Sequence, residues 1–475
     1  MRAQQSLPRI MTTVLIAAAA FGSLSLGATA YAAAPNILYI LADDLGSADC
    51  GFAGGKTIAT PALDKLAREG TILDDFYVQP VCSPTRAALM TGRYAVHTGV
   101  YTIVTPGAPW GLPLAERTLA NALHDAGYET ALCGKWHLGE FQPEYRPTRR
   151  GFDHQYGLWF GMIDYFTHHR GEILDWHRDD EPCQDEGYST HLIAKEACRM
   201  IRERKGDRPL FLYLPFNAVH SPHQVPEKYT EPYGQLSGDR RQYAGMLAAM
   251  DEAVSQVIAT LEEEKLKDNT LILFSSDNGG PAPGKVTDNG TLRAGKGTLY
   301  EGGVRVSAFA HWPGHIPAGQ HVREPLHIVD WYPTLVKLSG APAAQSLPPD
   351  GRDIWPVLTE KARSPHEAIL LCGLVGPMPC ALRAGDWKLI VGAAEREADS
   401  AGDNRSKTQK VELYNLADDP GEKQDLAAAH PEKVEQLRAE MDRLSAGAVA
   451  PGGRAEKLEK KPGRKRAAAK PNANN

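Results

Sequence analysis

The stretch QPVCSPTRAALMTGR, Gln79 to Arg93, puts one cysteine, Cys82, ahead of a proline, an arginine and a helical run. A lone thiol in that setting could be half of a disulfide, a metal ligand, a nucleophile or a buried filler. Four other places concentrate polar residues at the end of an apolar run. They are Asp43-Asp44 after NILYILA, Lys135 and His137 after ETALC, His220 and His223 after PLFLYLPF, and Asp277-Asn278 after LILFSS. In open α/β sheets ligands bind outside the carboxyl ends of strands, so four such tips along one edge point to a site. Asp43, Asp44, Asp277 and Asn278 are all oxygen donors, a set that suits calcium or magnesium rather than zinc. The asparagine keeps the carboxylates at three, which leaves a bound cation able to attract an anion. Around it stand Arg86, Lys135, Lys296, His137 and His220. A divalent ion with two lysines and an arginine is built to hold a tetrahedral oxyanion. His223 reads as a polar loop residue.

These tips need a scaffold, and the chain alternates strand and helix. NILYILADD is a continuous apolar run, as expected for a strand buried on both faces. TPALDKLAREG has Thr60 as N-cap, Pro61 in the first turn and Gly70 at the stop. LAERTLANALHDAGY reads as an amphipathic helix ending at Gly127, and residues 188–205 and 239–267 are helical by apolar spacing. Such alternation implies a mostly parallel sheet with helices on both faces. From about Glu367 short strands with turns follow (EAILLC, CALRAGDWKLIVG, VELYNL) and then a helix, HPEKVEQLRAEMDRLSAG. They read as a smaller antiparallel sheet with one covering helix.

The bulk numbers bound the class. A chain of 475 residues, 42% hydrophobic and 23% charged, is an ordinary globular protein, with length for one large domain and a smaller one. A net charge of -6 gives no global field that points to nucleic acid. Arg2 and Arg9 precede a small-apolar run ending in Ala30-Tyr31-Ala32, which reads as a cleaved secretory signal over residues 1–32. No second run is long enough to span a bilayer, so no stable membrane insertion is expected. Export permits disulfides. The seven cysteines are odd in number and show no CxxC pair, and Cys372 and Cys380 flank a turn across which they could pair. The expected layout is a catalytic domain over 33–362, a smaller subdomain over 363–450, and a basic, solvated, disordered tail over 451–475. Contact of that tail with an acidic polysaccharide or a membrane surface is the alternative. Trp110, Trp159, Trp176, His154, His168 and His169, between Tyr101 and His177, are candidates for sugar contact or for packing.

The sequence resembles the sulfatases, particularly the arylsulfatase B-like branch. Cys82-Ser83-Pro84-Thr85-Arg86 matches the C-x-P-x-R signature and AALMTGR continues it. GYETALCGKWHLG matches the second signature, SDNGG and KGTLYEGGVR match later blocks, and LRAGDWKLI and LYNLADDPGEKQDLA also look like the family. The resemblance runs from about Pro35 to about Leu444. It implies an alkaline-phosphatase-like fold: a large mixed, mostly parallel sheet flanked by helices, with a smaller C-terminal antiparallel sheet and covering helix.

The resemblance also implies a fate for Cys82. In sulfatases this cysteine is oxidised to formylglycine by a formylglycine-generating enzyme, and the aldehyde hydrates to a geminal diol. One hydroxyl attacks sulfur, and the other then expels sulfate by re-forming the aldehyde, which splits the reaction into two easier steps. By the same match Asp43, Asp44, Asp277 and Asn278 would hold one calcium ion with the modified Cys82. Arg86 would steady the hydrate, and Lys135 and Lys296 would grip the sulfate. His137 would help deprotonate the hydrate, and His220 would protonate the leaving oxygen. The implied activity is hydrolysis of a sulfated glycan or a small sulfate ester by an exported, periplasmic or secreted bacterial enzyme. The rival readings are a phosphate or phosphonate monoester hydrolase of related fold and an inactive carbohydrate-binding homologue.

Overall fold

A computed structural model describes residues 34–342, 346–374, 379–392 and 410–452. The signal peptide expected over 1–32 and all but the first two residues of the expected tail lie outside the described residues.

The first strand, Asn36–Ala42, explains the run that encodes it. Ile37, Tyr39 and Leu41 face one hydrophobic core, and Leu38, Ile40 and Ala42 face the other. Alternate residues enter opposite cores, so every position must be apolar. Complete burial of each large side chain contributes about 1.5–3 kcal/mol. The strand pairs in parallel with Leu210–Pro215 on one side and Thr270–Ser276 on the other. Glu129–Cys133 and then His154–Gly157 continue the parallel order. Short antiparallel strands close both ends, giving a ten-stranded mixed sheet. The helices Ser189–Arg202 and Gly238–Glu263 contribute buried residues to one core; Cys82–Thr91, Leu119–Asp125 and Trp331–Ser339 contribute to the other.

Register aligns the strand tips. Ala42 is opposite Ser276, Leu41 opposite Pro215, and Tyr213 opposite Leu132. Backbone bonds then continue past the strand ends, with Asp43 N donating to Ala218 O, Asp277 N to Ala42 O and Lys135 N to Pro215 O. The preceding Gly134 is required there: its φ is +136°, and a Cβ would sit 1.9 Å from Pro215 O.

Ile369–Cys372, Cys380–Ala384, Trp387–Val391 and Val411–Asn415 form a four-stranded antiparallel sheet. Leu437 and Met441 of the helix Pro431–Leu444 share a core with its Leu382 and Leu389, so the expected second sheet and covering helix are present. Cys372 and Cys380 are cross-strand partners, yet their buried thiols are not joined in a disulfide.

Two local expectations need correction. The segment around Leu114 is helical only from Leu119, because Thr118 and Asn121 bond each other's backbone N–H reciprocally and set the N-terminus there. Thr60 does not cap the helix Pro61–Arg68 with its side chain. Asp251, from the long helix Gly238–Glu263, accepts the Ala62 and Leu63 N–H groups instead.

Candidate active site

Asp43, Asp44, Asp277, Asn278, Cys82, Arg86, Lys135 and His137 are all buried, and His220 and Lys296 are partly exposed, their side chains 15% and 20% accessible. The ten residues meet at the carboxyl edge of the sheet. Arg86 projects from the helix Cys82–Thr91 and spends its guanidinium on three partners. Nε and Nη2 donate to Asp277 Oδ2 at 3.1 and 2.8 Å, Nη2 donates to Asp43 Oδ2 at 3.2 Å, and Nη1 donates to Lys135 O at 2.9 Å. Lys135 Nζ donates to Asp43 Oδ2, and Lys296 Nζ stands 2.6 Å from Asp44 Oδ1. Asn278 Nδ2 donates to Asp44 Oδ1 at 2.8 Å, and Asp44 N donates to Asp277 Oδ1 at 3.3 Å. Three carboxylates thus face three cations, and the cluster is formally neutral.

Asp44 and His137 adopt left-handed backbone conformations, with φ of 64° and 58°. Such conformations cost about 1–3 kcal/mol each and gather at functional sites. Ser83 braces His137 by donating to its carbonyl at 2.8 Å while accepting Val104 N at 3.1 Å. Gly161 lies against the imidazole so closely that a Cβ would stand 2.5 Å from His137 Cε1.

The surrounding charges set each titration. Burial, then the Asp277 and Asp43 carboxylates, push the Cys82 thiol up to about 12. Without a cation on those carboxylates the thiol is held protonated at neutral pH. Burial and Lys296 push His220 down to about 3, and burial with Lys135 and Arg86 holds His137 well below its usual value. Both imidazoles are therefore neutral. His220 Nδ1 donates to Ser221 O at 2.6 Å, which leaves Nε2, 3.6 Å from Asp44 Oδ2, free to take a proton. Burial opposes ionisation of Asp44, but Lys296, His220 and the Asn278 amide outweigh it and hold that carboxyl low.

The donor set accommodates a hard cation. Asp43, Asp44, Cys82 and His220 offer ligand atoms all within 4.8 Å of one another. Asn278 Oδ1 is buried without a hydrogen-bond partner, as an oxygen reserved for a cation would be. Asp277 stands beside this group, with Oδ2 committed to Arg86. His223 faces elsewhere, 3.7 Å from Asp239 and edge-on to Tyr243. Of the sugar-contact candidates, Trp176 and His168 stack on one another in the interior, and His154 is paired with Asp179 and Glu196, so these are packing residues.

Sequence reading missed the support behind Lys296. Glu301, in the same loop, is buried with Lys388 of the small sheet, which also holds Glu422 at 2.8 Å. Those partners are 87 and 121 residues away from Glu301, and no local pattern announces them.

This cluster of carboxylates, cations and imidazoles sits at the carboxyl edge of a large mixed sheet, an alkaline-phosphatase-like arrangement, and the comparisons identify the family. The sulfatase family profile matches residues 35–341. Arylsulfatase J of Mus musculus is 35% identical over 466 residues, spanning 89% of this chain and 77% of that protein. Arylsulfatase A of Homo sapiens is 34% identical over 457 residues, 86% of this chain and 87% of that protein. The crystal structure of Ps i-CgsB in complex with k-i-k-neocarrahexaose has a TM-score of 0.80 at 33% identity, covering 89% of this chain and 96% of that one. The chain belongs to the sulfatase family and is a sulfuric ester hydrolase. Among the described residues no helix is long and apolar enough to cross a membrane.

Proposed function

We propose that this enzyme hydrolyses O-sulfate esters of sugars, and aryl sulfates, with Cys82 matured to formylglycine by a formylglycine-generating enzyme and with one calcium ion bound. The observation that carries this reading is the neutral cluster of three carboxylates and three cations converging on the buried Cys82, whose Sγ lies 3.5 Å from Asp43 Oδ1. A divalent ion would turn the neutral cluster into a dication, which is a receptor for an anionic ester.

Asp43, Asp44, Asp277 and Asn278 would hold the calcium, which supplies positive charge against the sulfate oxygens and against the group derived from Cys82. Arg86 fixes the Asp43 and Asp277 carboxylates and takes up the charge between them. Lys135 and Lys296, now on Asp43 and Asp44, would be the cations that hold the sulfate oxygens. His137 accepts a proton from the residue-82 hydrate during sulfate release. His220, with its tautomer set by Ser221 O, accepts a proton at Nε2 in the field of the bound anion and passes it to the leaving oxygen.

Export to the periplasm or the exterior fits this chemistry, because sulfated polysaccharides are encountered outside the cell. Ps i-CgsB, solved with a neocarrahexaose, supports a sulfated oligosaccharide as the substrate class. The test combines peptide mass spectrometry at residue 82, metal analysis, and turnover of aryl sulfate, aryl phosphate and sulfated oligosaccharides. An unmodified thiol in fully active protein, or full turnover in metal-free protein, overturns the reading.

A further inference from the structure

Trp159 lies beside the reactive centre and carries an imidazole and a guanidinium against its indole. Its carbonyl accepts His137 N at 3.0 Å, which ties the residue directly to the site. The His177 ring stacks on its indole at 3.6 Å and an interplanar angle of 6°. The Arg146 guanidinium carbon lies 4.6 Å from the ring centroid, so it takes the face that the imidazole leaves. Buried Asp175 holds this segment in place by accepting the Trp159 and Phe160 N–H groups at 3.0 and 2.7 Å.

Stacking uses the face of the guanidinium and leaves its N–H edge available. Arg146 spends only Nε, on Glu140 O at 3.4 Å, and Nη1 and Nη2 have no partner among the described residues. Arg170, at the end of the short strand His169–Arg170, likewise has no side-chain partner among the described residues. Both arginines act on the carboxyl of Glu140. Burial raises that group, and the Gly107 N–H, Arg146 and Arg170 pull it back. Arg170 sits on the hairpin that pairs His169 with Leu174 and runs into Asp175, the acceptor of the Trp159 N–H, so both unspent guanidinium groups belong to the loops packed about Trp159. By contrast, Arg86 is saturated with partners.

The loops that carry this pair also carry exposed apolar side chains. Ile103, Leu114, Phe141, Phe166 and Ile173 are five of the six exposed large hydrophobic residues among those described, and all lie between residues 101 and 177. Loops that carry both exposed aromatic rings and unspent guanidinium groups suit a sugar chain that bears anions, with ring faces for stacking and charges for pairing.

We propose that Arg146, stacked on Trp159, forms with Arg170 a second anion subsite that recognises an additional sulfate or carboxylate group on the sugar substrate. This rests on the sulfated-sugar reading above and narrows it to a polyanionic glycan. The subsite selects substrate and takes no part in the chemical step.

The test compares kcat/KM of wild type, Arg146→Ala, Arg146→Lys and Arg170→Ala on matched disaccharides. One carries a single sulfate, one adds a second sulfate, and one adds a carboxylate to the first. Wild type should prefer one of the doubly anionic sugars, and the sugar preferred identifies the second group. Arg146→Ala should cut the preference ratio about tenfold, the scale of one charge-assisted hydrogen bond. The lysine variant should keep part of it, and Arg170→Ala should lower it too. No wild-type preference, or the same ratio in wild type and Arg146→Ala, overturns the subsite. If wild type cleaves none of these esters, the proposed function falls separately. Calorimetric binding of the mono- and disulfated disaccharides to wild type and Arg146→Ala then decides the subsite by the same ratio.

Discussion

Arg86 and Asp277 are joined by two guanidinium nitrogens on a single carboxylate oxygen, and both side chains are wholly inaccessible. The arrangement positions the candidate calcium ligands before any metal arrives. Arg86→Lys keeps the charge and loses the fork, so Asp277 and Asp43 can no longer share one cation. Breaking a buried pair of this kind typically costs about 3–5 kcal/mol. Denaturant unfolding should show a loss on that scale in metal-free protein, with calcium recovering part of it. A loss below about 1 kcal/mol would mean that Lys135 alone balances these carboxylates.

Cys82→Ser separates the modification from the scaffold. Serine fits the space of Cys82 at the start of the helix Cys82–Thr91 and offers one hydroxyl. That hydroxyl can accept sulfate but has no second hydroxyl with which to expel it. The expected record is a burst of released alcohol followed by stalled, sulfated protein, visible by mass spectrometry. Sustained turnover by the serine variant would remove formylglycine from the account.

The parts of the site legible in the sequence are those that parallel strands deliver. A run such as NILYILA must be buried on both faces, and its polar tip must then emerge at the sheet edge. Asp43 and Asp277 could thus be brought together without reference to coordinates. Contacts between distant segments were not legible. Asp251 caps a helix that begins 190 positions earlier in the numbering, at Pro61, and displaces the local candidate Thr60. Trp159 and Trp176 look alike as tryptophans in one polar stretch. Both are buried, and only packing stacks the second on His168 and leaves the first with an arginine against its ring.

His220→Ala should separate leaving-group chemistry from binding. An alkoxide leaving from a sugar sulfate needs a proton, whereas a nitrophenolate leaves largely unaided. General acid catalysis contributes on the order of a hundred- to ten-thousand-fold. The loss in kcat should approach that range on sugar sulfates and be far smaller on nitrophenyl sulfate. Equal losses on both would move His220 out of the proton-donor role.

Glu422 makes stability depend on pH. Burial raises its carboxyl to about 7 and the Glu301 charge adds to this, while Lys388 pulls it down. The folded state holds the proton more tightly than the unfolded chain, whose carboxyl titrates near 4.5. This stabilisation is complete below pH 4.5 and is lost as pH rises through about 7. Melting temperature should therefore fall from pH 5 to pH 8 on this account, and Glu422→Gln, fixed in the neutral form, should flatten the slope. An unchanged slope in the variant would assign the pH dependence elsewhere.

Sulfate should be strongly preferred over phosphate. A sulfate monoester carries one negative charge, and a phosphate monoester carries nearly two at neutral pH. Hydrolysis of the more highly charged ester is commonly served by two metals held by imidazoles. Among the described residues only one group of carboxylate, thiol and imidazole donors converges closely enough for an ion, and it contains a single histidine, His220. His223, the other histidine of that loop, is turned toward Asp239, and Asn278 occupies the place after Asp277 where a second imidazole would be needed. One divalent ion with Arg86, Lys135 and Lys296, against Asp43, Asp44, Asp277 and one deprotonated hydroxyl of a residue-82 hydrate, would leave a single net positive charge, which matches the single charge of the sulfate ester. Aryl sulfate should be turned over with a kcat/KM at least about a hundredfold above that of aryl phosphate, roughly 3 kcal/mol in the transition state. Comparable efficiencies, or a second tightly bound metal in purified enzyme, would show that the cluster tolerates the dianion and that charge matching does not set its specificity.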